Sequence, residues 1–429
     1  MVRVAGLAAV LSVACIVPPA ASKPPQAERQ PNTSESDLLA AHARGQRAYE
    51  ANDFEQARDI ARSALKRAAT LRVNPRMLAM LHELEGNALW RLTDIDADEA
   101  FESALVNWEK VPGARSDVAR LELRLANVVG FVGANFDRAE GLVRHSMKLM
   151  TELGESGSYR FVAAHCVLLD ILEQQCRTDE ASAVLDAVEK LVNEQQPVHP
   201  LDAHKVLQFR ALISRDSGDL ARAVELQQRG LAELERLDAK DELGRVQRSS
   251  ALGNLAEFER ARGNYAEAAK YAQREGTVSV KRSGDGRFEQ TQAEDLHFAY
   301  AATRDPKLAA HDEQHGLVEV RVGKELFPAV LPEHRACHPE VSKPAQGRIG
   351  RYKGVLDLLD PCLVKAAQGG GKGSFRLMFR VEDGRVVAVA ALGPRTEPEV
   401  LRCAAERALD YQHPTERYNE FDYKFVDWP

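Results

Sequence analysis

The sequence has little of what marks several large protein classes. Only 6 of its 429 residues are cysteine and only 6% are aromatic, and six cysteines are too few for a disulfide-rich scaffold. Lysine and arginine (57) are outnumbered by aspartate and glutamate (64), which gives a formal charge of -7. We therefore expect no basic surface for phosphate backbones, and no nucleic acid among the partners.

The motifs of common enzyme classes are also missing. There is no HExxH, GxSxG or Cys-x-x-Cys-His motif and no glycine pattern for a dinucleotide, so we predict no enzyme, no cofactor and no metal. One alternative is a metal-dependent enzyme built on His334, Cys337 and His338. It is disfavoured because these residues are crowded into one loop without a distant fourth ligand.

What the sequence does contain indicates a folded, mostly helical protein. Hydrophobic residues make up 44% of the chain and charged residues 28%, which is typical of globular domains. The sequence contains 62 alanines, and alanine favours helices that pack closely. Two or three domains are expected at this length.

The first residues have the layout of an export signal. Arg3 is followed by an apolar run from Val4 to Val17 and then by small residues and prolines, and this run is too short to span a bilayer. We predict a signal peptide over residues 1–22. The segment Ser12-Val13-Ala14-Cys15 resembles a bacterial lipobox. The alternative to cleavage after residue 22 is therefore lipidation of Cys15, which would associate the protein with a membrane. In either case the protein is expected in the periplasm or cell envelope, with a disordered spacer over 23–36.

The middle of the chain repeats with a period of about forty residues. An alanine recurs after a turn six times, and we call these alanines the anchors: Ala57, Ala97, Ala139, Ala181, Ala223 and Ala268. A large apolar residue precedes four of them by three positions, and a small residue follows four of them by seven. Small residues let two antiparallel helices approach closely, so the pattern predicts helical hairpins.

This pattern resembles the tetratricopeptide repeat family. The resemblance implies an α-solenoid over residues 37–302, whose concave face binds a protein or peptide segment. By the family's pattern, a particular set of side chains on the first helices faces this concave surface. These residues are Gln46, Tyr49, Asn87, Trp90, Arg91, Phe131, Arg215 and Arg260.

After the repeats the periodicity changes. Residues 291–305 predict one more helix that caps the array, and residues 303–350 read as a linker in which LVEVRV is a possible strand. Residues 351–429 predict a small α+β domain in the order helix, strand, strand, helix, strand. In its first strand, alternating apolar residues with Arg376 and Arg380 between them predict one buried and one solvated face.

This domain resembles the C-terminal domain of TonB-type proteins, closest to the variant appended to myxobacterial gliding and envelope proteins, of the AgmX/PglI kind. That variant carries one cysteine in each helix, so the resemblance implies a disulfide between Cys362 and Cys403, with Cys337 as a competing partner. Cys166 and Cys176 lie too far apart on one helix to pair with each other.

Together these features predict an exported, non-catalytic scaffold that binds another protein through the repeat groove. The alternative is a TonB-like periplasmic transducer or sensor module in which the C-terminal domain leads.

Overall fold

A computed structural model describes residues 33–92, 96–131, 135–194, 198–278, 287–327, 357–364, 366, 373–382, 385–411 and 423–428. Contacts separate two compact units, of which the first ends at Ile171 and the second begins at Leu172. The predicted signal peptide, with Cys15, lies outside the described residues, as do His334, Cys337 and His338.

The described residues of the first unit form helices joined by short turns, and each helix packs on the next. They are α1 (Thr33–Glu50), α2 (Phe54–Ala68), α3 (Pro75–Arg91), α4 (Ala97–Trp108), α5 (Arg115–Phe131) and α6 (Phe136–Glu152). The next helix, α7 (Tyr159–Gln174), contains the boundary between the units. Because α1 begins at Thr33, the predicted disordered spacer is wrong for its last four residues. Glu35 in the first turn suits the positive end of the helix dipole.

In the second unit, the described helices before the sheet also pack each on the next along the chain. They are α8 (Thr178–Glu194), α9 (Pro200–Asp216), α10 (Leu220–Glu235), α11 (Glu242–Ala261), α12 (Tyr265–Val278), α13 (Arg287–Thr303) and α14 (Lys307–His315).

The six anchors all lie in the helix that follows a hairpin turn, and all are buried. Their exposed fractions run from 0% to 7%, and five of the six are the fourth residue of their helix. A methyl group at this depth fills the crossing of two helices without holding them apart. The predicted fold class, an array of helical hairpins followed by a small α+β domain, is confirmed.

A second regularity lies five residues before the anchor. In four of the turns this residue has a positive φ, at Asn52, Cys176, Gly218 and Gly263. The N–H of Gly218 donates to the carbonyl of Arg215 at 2.9 Å, which closes the C-terminal end of α9. Glycine and asparagine tolerate this left-handed conformation best, so the residue type ends the first helix and starts the turn.

The next residue caps the second helix. The side chains of Asp53, Asn135 and Asp219 accept the N–H three positions later, at 3.1, 3.1 and 2.9 Å. Each lies four residues before an anchor, so one short segment both ends one helix and begins the next.

Close approach of the helices is most evident at Gly86 of α3. A Cβ atom at this position would lie 2.7 Å from the ring of Phe101 in α4. Only glycine leaves room for this ring, which is 1% exposed.

The described elements of the C-terminal part of the second unit are β1 (Leu317–Gly323), α15 (357–364), β2 (Gly373–Glu382), β3 (Arg385–Pro394), α16 (Pro398–Ala408) and β4 (Tyr423–Trp428). The four strands form an antiparallel sheet in the order β1-β3-β2-β4. From α15 onward the described elements follow the predicted order of helix, strand, strand, helix, strand.

The prediction of a half-solvated first strand is wrong, because both faces of β2 are buried. Phe375, Leu377 and Phe379 pack in a core with residues of α15 and α16. The other face packs with Phe298 of α13 and with Phe327. Met378 on this face is therefore fully buried, and Arg376 and Arg380, which lie on the same face of the strand, are buried as well. This coverage comes from a helix far away in sequence, which strand alternation alone does not reveal.

The predicted linker, 303–350, is also corrected where the structure describes it. Residues 307–315 form α14, and LVEVRV lies in β1, which pairs with β3 from Leu317 opposite Pro394 to Gly323 opposite Ala388. The possible strand predicted at LVEVRV is therefore confirmed, and it belongs to the C-terminal sheet and not to a connection.

The predicted disulfide joins Cys362 of α15 to Cys403 of α16, with 5.8 Å between their Cα atoms. Both helices cover the same face of the sheet, so the disulfide links the two helices that bury this face. Cys166 is a buried free thiol, and Cys176 is disulfide-bonded.

Candidate protein-binding surface

Three helices of the first unit present side chains at the same spacing. Positions i, i+4 and i+7 fall on one face of a helix. The nine residues at these positions, all half-buried, define what we call the α1–α3–α5 face. They are His42, Gln46 and Tyr49 of α1, Glu83, Asn87 and Trp90 of α3, and Arg120, Arg124 and Asn127 of α5.

Glu83 is the centre of the polar contacts on this face. Arg120 binds both of its carboxylate oxygens, with Nη2 at 2.9 Å from Oε2, and Arg124 Nη1 donates to Oε1 at 3.0 Å. Burial disfavours the charged carboxylate, but the hydrogen bonds and charges of Arg120 and Arg124 outweigh it and hold the pKa of Glu83 below its usual value. Glu83 is therefore a fixed negative charge between two guanidinium groups.

Of the two arginines on this face, Arg124 has fewer carboxylates around it. Its Nη1 also donates to Asn87 Oδ1 at 2.8 Å, whereas Arg120 has a second carboxylate in Asp117 at 3.3 Å. Burial lowers the pKa of Arg124; the charge of Glu83 opposes this effect, and the nearby charge of Arg120 adds to it. A carboxylate brought by a ligand would complete the arrangement that Glu83 begins.

Aromatic and cationic groups lie at the same end of α1 and α3. The rings of Tyr49 and Phe54 meet edge to face at 5.3 Å, and the exposed guanidinium of Arg91 lies 4.6 Å from the centre of the Phe54 ring. Gln46 donates to Glu50 at 3.1 Å. Aromatic and arginine side chains of this kind are the usual centres of protein interfaces.

The structure places five of the eight predicted binding residues together. Gln46, Tyr49, Asn87 and Trp90 belong to the α1–α3–α5 face, and Arg91 follows Trp90. Phe131 is the last residue of α5, and its side chain is not among those described. The other two, Arg215 and Arg260, belong to the second unit.

Arg215 does not face a groove, because it is 4% exposed and held inside the second unit. It binds Glu173 of α7, Asp216 beside it at 2.7 Å and Glu257 of α11 at 3.3 Å. Glu173, Arg215 and Glu257 are 42 residues apart in turn, so equivalent positions of successive repeats form what we call the charge ladder. Arg260, in α11, is half-buried.

Sequence reasoning missed the charged members of the face, namely Glu83, Arg120 and Arg124, together with His42. Their i, i+4, i+7 spacing on three successive first helices is the signal that would have found them. In the third repeat our prediction rested on Phe131 alone, so Arg124 was passed over.

The described residues contain no helix with the length and hydropathy needed to cross a membrane. Within the same part of the chain, no group of three or more histidine, cysteine, aspartate or glutamate side chains is arranged to hold a metal ion.

No protein-family model matches this chain, and no curated protein matches it in sequence. Solved structures with a similar backbone include BtubC (BKLC) from P. vanneervenii, at 18% identity and a TM-score of 0.40 over 56% of this chain and 90% of that chain. PilF of Pseudomonas aeruginosa is similar at 13% identity and a TM-score of 0.30, over 66% of this chain and 92% of that one. A signal-transduction ATPase with a tetratricopeptide repeat sensor, from Pyrococcus horikoshii, is similar at 14% identity and a TM-score of 0.37, over 67% of this chain and 47% of that one. These similarities carry no function over to this chain.

Proposed function

We propose that this protein is an exported, non-catalytic scaffold of the bacterial cell envelope that binds an acidic segment of another protein through the α1–α3–α5 face. The observation that carries the proposal is Arg124, which shares the single carboxylate of Glu83 with Arg120. Tyr49, Trp90 and Arg91 supply aromatic surface and a further positive charge beside it.

The chemistry of this face favours an acidic partner over a neutral one. A carboxylate that reaches Arg124 forms a charge-assisted hydrogen bond, which contributes roughly 1.5 to 3 kcal/mol. A partner with only neutral side chains would leave the guanidinium of Arg124 with the carboxylate of Glu83, which it shares with Arg120. Tyr49 and Trp90 then bury apolar atoms of the same segment.

The sequence and the cysteines support export. The export signal predicted over residues 1–22 is the first support, and the Cys362–Cys403 disulfide is the second. Disulfides persist in oxidising compartments such as the bacterial periplasm and are rare in the cytosol.

The binding proposal is tested by panning a phage-displayed library of random peptides against the purified chain. We expect the selected peptides to be enriched in aspartate and glutamate. Arg124→Gln should weaken their binding by roughly ten- to hundredfold. The matched control is Arg144→Gln, because Arg144 is a half-exposed arginine of α6 that pairs with Glu140 outside this face, and its binding should be unchanged.

The possible failures of this experiment separate the two parts of the proposal. Selection of no peptide above background would contradict a peptide-binding scaffold. Selected peptides that are neutral or basic, or that still bind Arg124→Gln, would contradict the acidic partner alone.

Export is tested by the mass of the mature N-terminus after expression in a bacterium. We expect a chain that begins at Lys23 or a chain that begins at a lipid-modified Cys15. A cytoplasmic protein that still begins at Met1 would contradict export.

A further inference from the structure

β1 is an edge strand of the C-terminal sheet. Within the described residues it pairs with β3 alone, and its register with β3 runs from Leu317 to Gly323 without a shift. Native sheets usually protect an exposed edge with a bulge, a proline or a lysine. The segment Leu317–Gly323 contains neither proline nor lysine, and its ladder has no bulge. β1 therefore lacks the usual features that prevent pairing with a further strand.

The hydrogen bonds to β3 show which backbone groups of β1 point away from the sheet. The N–H of Arg395 donates to the carbonyl of Gly316 at 2.8 Å, and the N–H of Lys324 donates to the carbonyl of Val387 at 2.8 Å. In an antiparallel ladder, residues bonded to the neighbouring strand alternate with residues whose backbone groups point outward. The even-numbered residues of β1 therefore bond to β3, and the odd-numbered residues from 317 to 323 point outward. Among the hydrogen bonds of the described residues, none connects these outward groups to another segment.

The side chains of β1 alternate between the two faces of the sheet. Val318, Val320 and Val322 lie on the face covered by α16, where Val320 is buried and the other two are partly buried. Glu319 and Arg321 lie on the opposite face, and Arg321 Nε is 2.7 Å from a carboxylate oxygen of Glu319. The side chain of Arg321 is 43% exposed. β1 thus presents valines on one face and one charge of each sign on the other.

The sequence Val-Glu-Val-Arg-Val of this strand is complementary to itself. When two copies of β1 run antiparallel about Val320, Glu319 of each copy lies opposite the partner's Arg321. Val318 then lies opposite the partner's Val322. Opposite charges and β-branched side chains in directly facing positions stabilise a pair of strands.

Other registers of the same two strands are less favourable. The outward groups belong to odd-numbered residues, so an odd-numbered residue must face an odd-numbered residue of the second copy. A pair centred on Glu319 or on Arg321 meets this condition but brings like charges face to face. A pair centred on Val318 or on Val322 leaves the charges unopposed and shortens the overlap. Only the register centred on Val320 pairs the full strand and both charges.

We propose that two copies of this chain join along β1 to form a symmetric dimer. The two four-stranded sheets then become one continuous sheet with the two β1 strands at its centre. The same surface of each copy is used, so the contact closes after two chains. Val318 and Val322, which are partly buried in one chain, lose further exposure to water. The dimer contact lies in the second unit and does not depend on the acidic-segment binding proposed for the α1–α3–α5 face.

The first test is the molar mass of the full chain in solution, measured by light scattering after size exclusion at a series of concentrations. We expect the mass of two chains, with dissociation to single chains on dilution. A mass of one chain at every concentration up to about 100 μM would overturn the proposal.

Charge reversal in β1 tests whether the dimer uses this edge. Arg321→Glu places carboxylates face to face at both symmetry-related positions, so the dissociation constant should rise at least about tenfold. The matched control is Arg222→Glu, because Arg222 of α10 is 47% exposed and also lies 2.7 Å from a carboxylate, that of Glu225. The control should leave the dissociation constant unchanged. An unchanged constant in Arg321→Glu would assign the dimer to another surface and overturn the proposal.

A second charge reversal tests whether the two charges face each other. Chains with Glu319→Arg should not pair with themselves, but they should pair with chains that carry Arg321→Glu, because the mixed pair restores opposite charges at both positions. Two folded variants that stay single chains in the mixture would contradict the proposed pairing. If Glu319→Arg does not fold, the cysteine variants described next decide in its place.

Cysteine substitution tests the register. In the proposed dimer Val320 faces the partner's Val320 as a non-hydrogen-bonded pair, whose Cα atoms lie about 4.5 Å apart, which suits a disulfide. Val320→Cys should therefore form a covalent dimer under mild oxidation, seen on a non-reducing gel. Val318→Cys is the matched control and should form none, because the two introduced thiols lie about 14 Å apart. Equal cross-linking of both variants, or of neither, would contradict the register centred on Val320.

Discussion

An arginine on the first helix of a hairpin has different surroundings in the two units. In the first unit Arg124 is half-buried and shares one carboxylate with Arg120, whereas in the second unit Arg215 is buried against Glu173, Asp216 and Glu257. Both positions belong to helical hairpins of similar length. The two arginines therefore occupy similar places in their hairpins but differ in the number of carboxylates around the guanidinium, and the proposed function assigns ligand binding to the one with fewer.

The largest expected effect comes from breaking the charge ladder. Arg215→Met would leave buried carboxylates without their cation, so we expect the free energy of unfolding to fall by about 3 to 5 kcal/mol. Urea unfolding followed by circular dichroism measures this loss. A loss below about 1 kcal/mol, the size seen for exposed ion pairs, would remove the distinction between the ladder and the α1–α3–α5 face.

The next effect separates the stability of the two units. Replacing Cys362 and Cys403 by serine opens a loop whose ends are 41 residues apart, which we expect to destabilise the second unit by about 3 to 4 kcal/mol. Calorimetry should show a lower Tm for the transition that includes the sheet, with the other transition unchanged. Equal shifts of both transitions would mean that the units do not unfold independently.

A smaller effect tests the packing that both units share. Gly86→Ala forces a methyl group against the ring of Phe101, and we expect a loss of about 1 to 3 kcal/mol. The matched control is Gly141→Ala in α6, because a Cβ there meets nothing within 4 Å. The control should stabilise the chain by about 0.5 to 1 kcal/mol through helix propensity. Equal effects of the two substitutions in urea unfolding would show that propensity, and not close approach, governs these glycines.

The smallest effect on stability is expected at the proposed binding surface. Arg124→Gln removes a half-buried cation but leaves Glu83 its ion pair with Arg120, so the free energy of unfolding should change by no more than about 1 kcal/mol while the affinity for acidic peptides falls. A loss in urea unfolding as large as that of Arg215→Met would assign Arg124 a structural role.

The hairpins were predictable because their determinants are local. An anchor alanine, a capping side chain four residues earlier and a residue tolerant of positive φ five residues earlier lie within a few positions of one another. Cys176 marks the limit of this reasoning, since its place in a turn follows from the repeat and not from its residue type.

The junction with the sheet was not predictable in this way. Arg376 and Arg380 alternate with apolar residues, as in a strand with one solvated face. Arg376 is instead buried by Glu294 and Asp295, which lie about eighty residues earlier in the chain. The face of the first unit was predicted in part, because Asn87 and Trp90 follow the family pattern, whereas Arg124 becomes significant only when its contacts with Glu83 are known.

The packing of the sheet on α13 also decides how the protein can be shortened. Truncation after residue 302 would remove the strands that cover Phe298 and leave Glu294 and Asp295 without Arg376. A repeat array that ends on such a surface loses solubility, because terminal repeats need a polar outer side. The C-terminal sheet therefore covers the end of the helical array. A shortened protein that is to stay soluble should keep the sheet together with the helices.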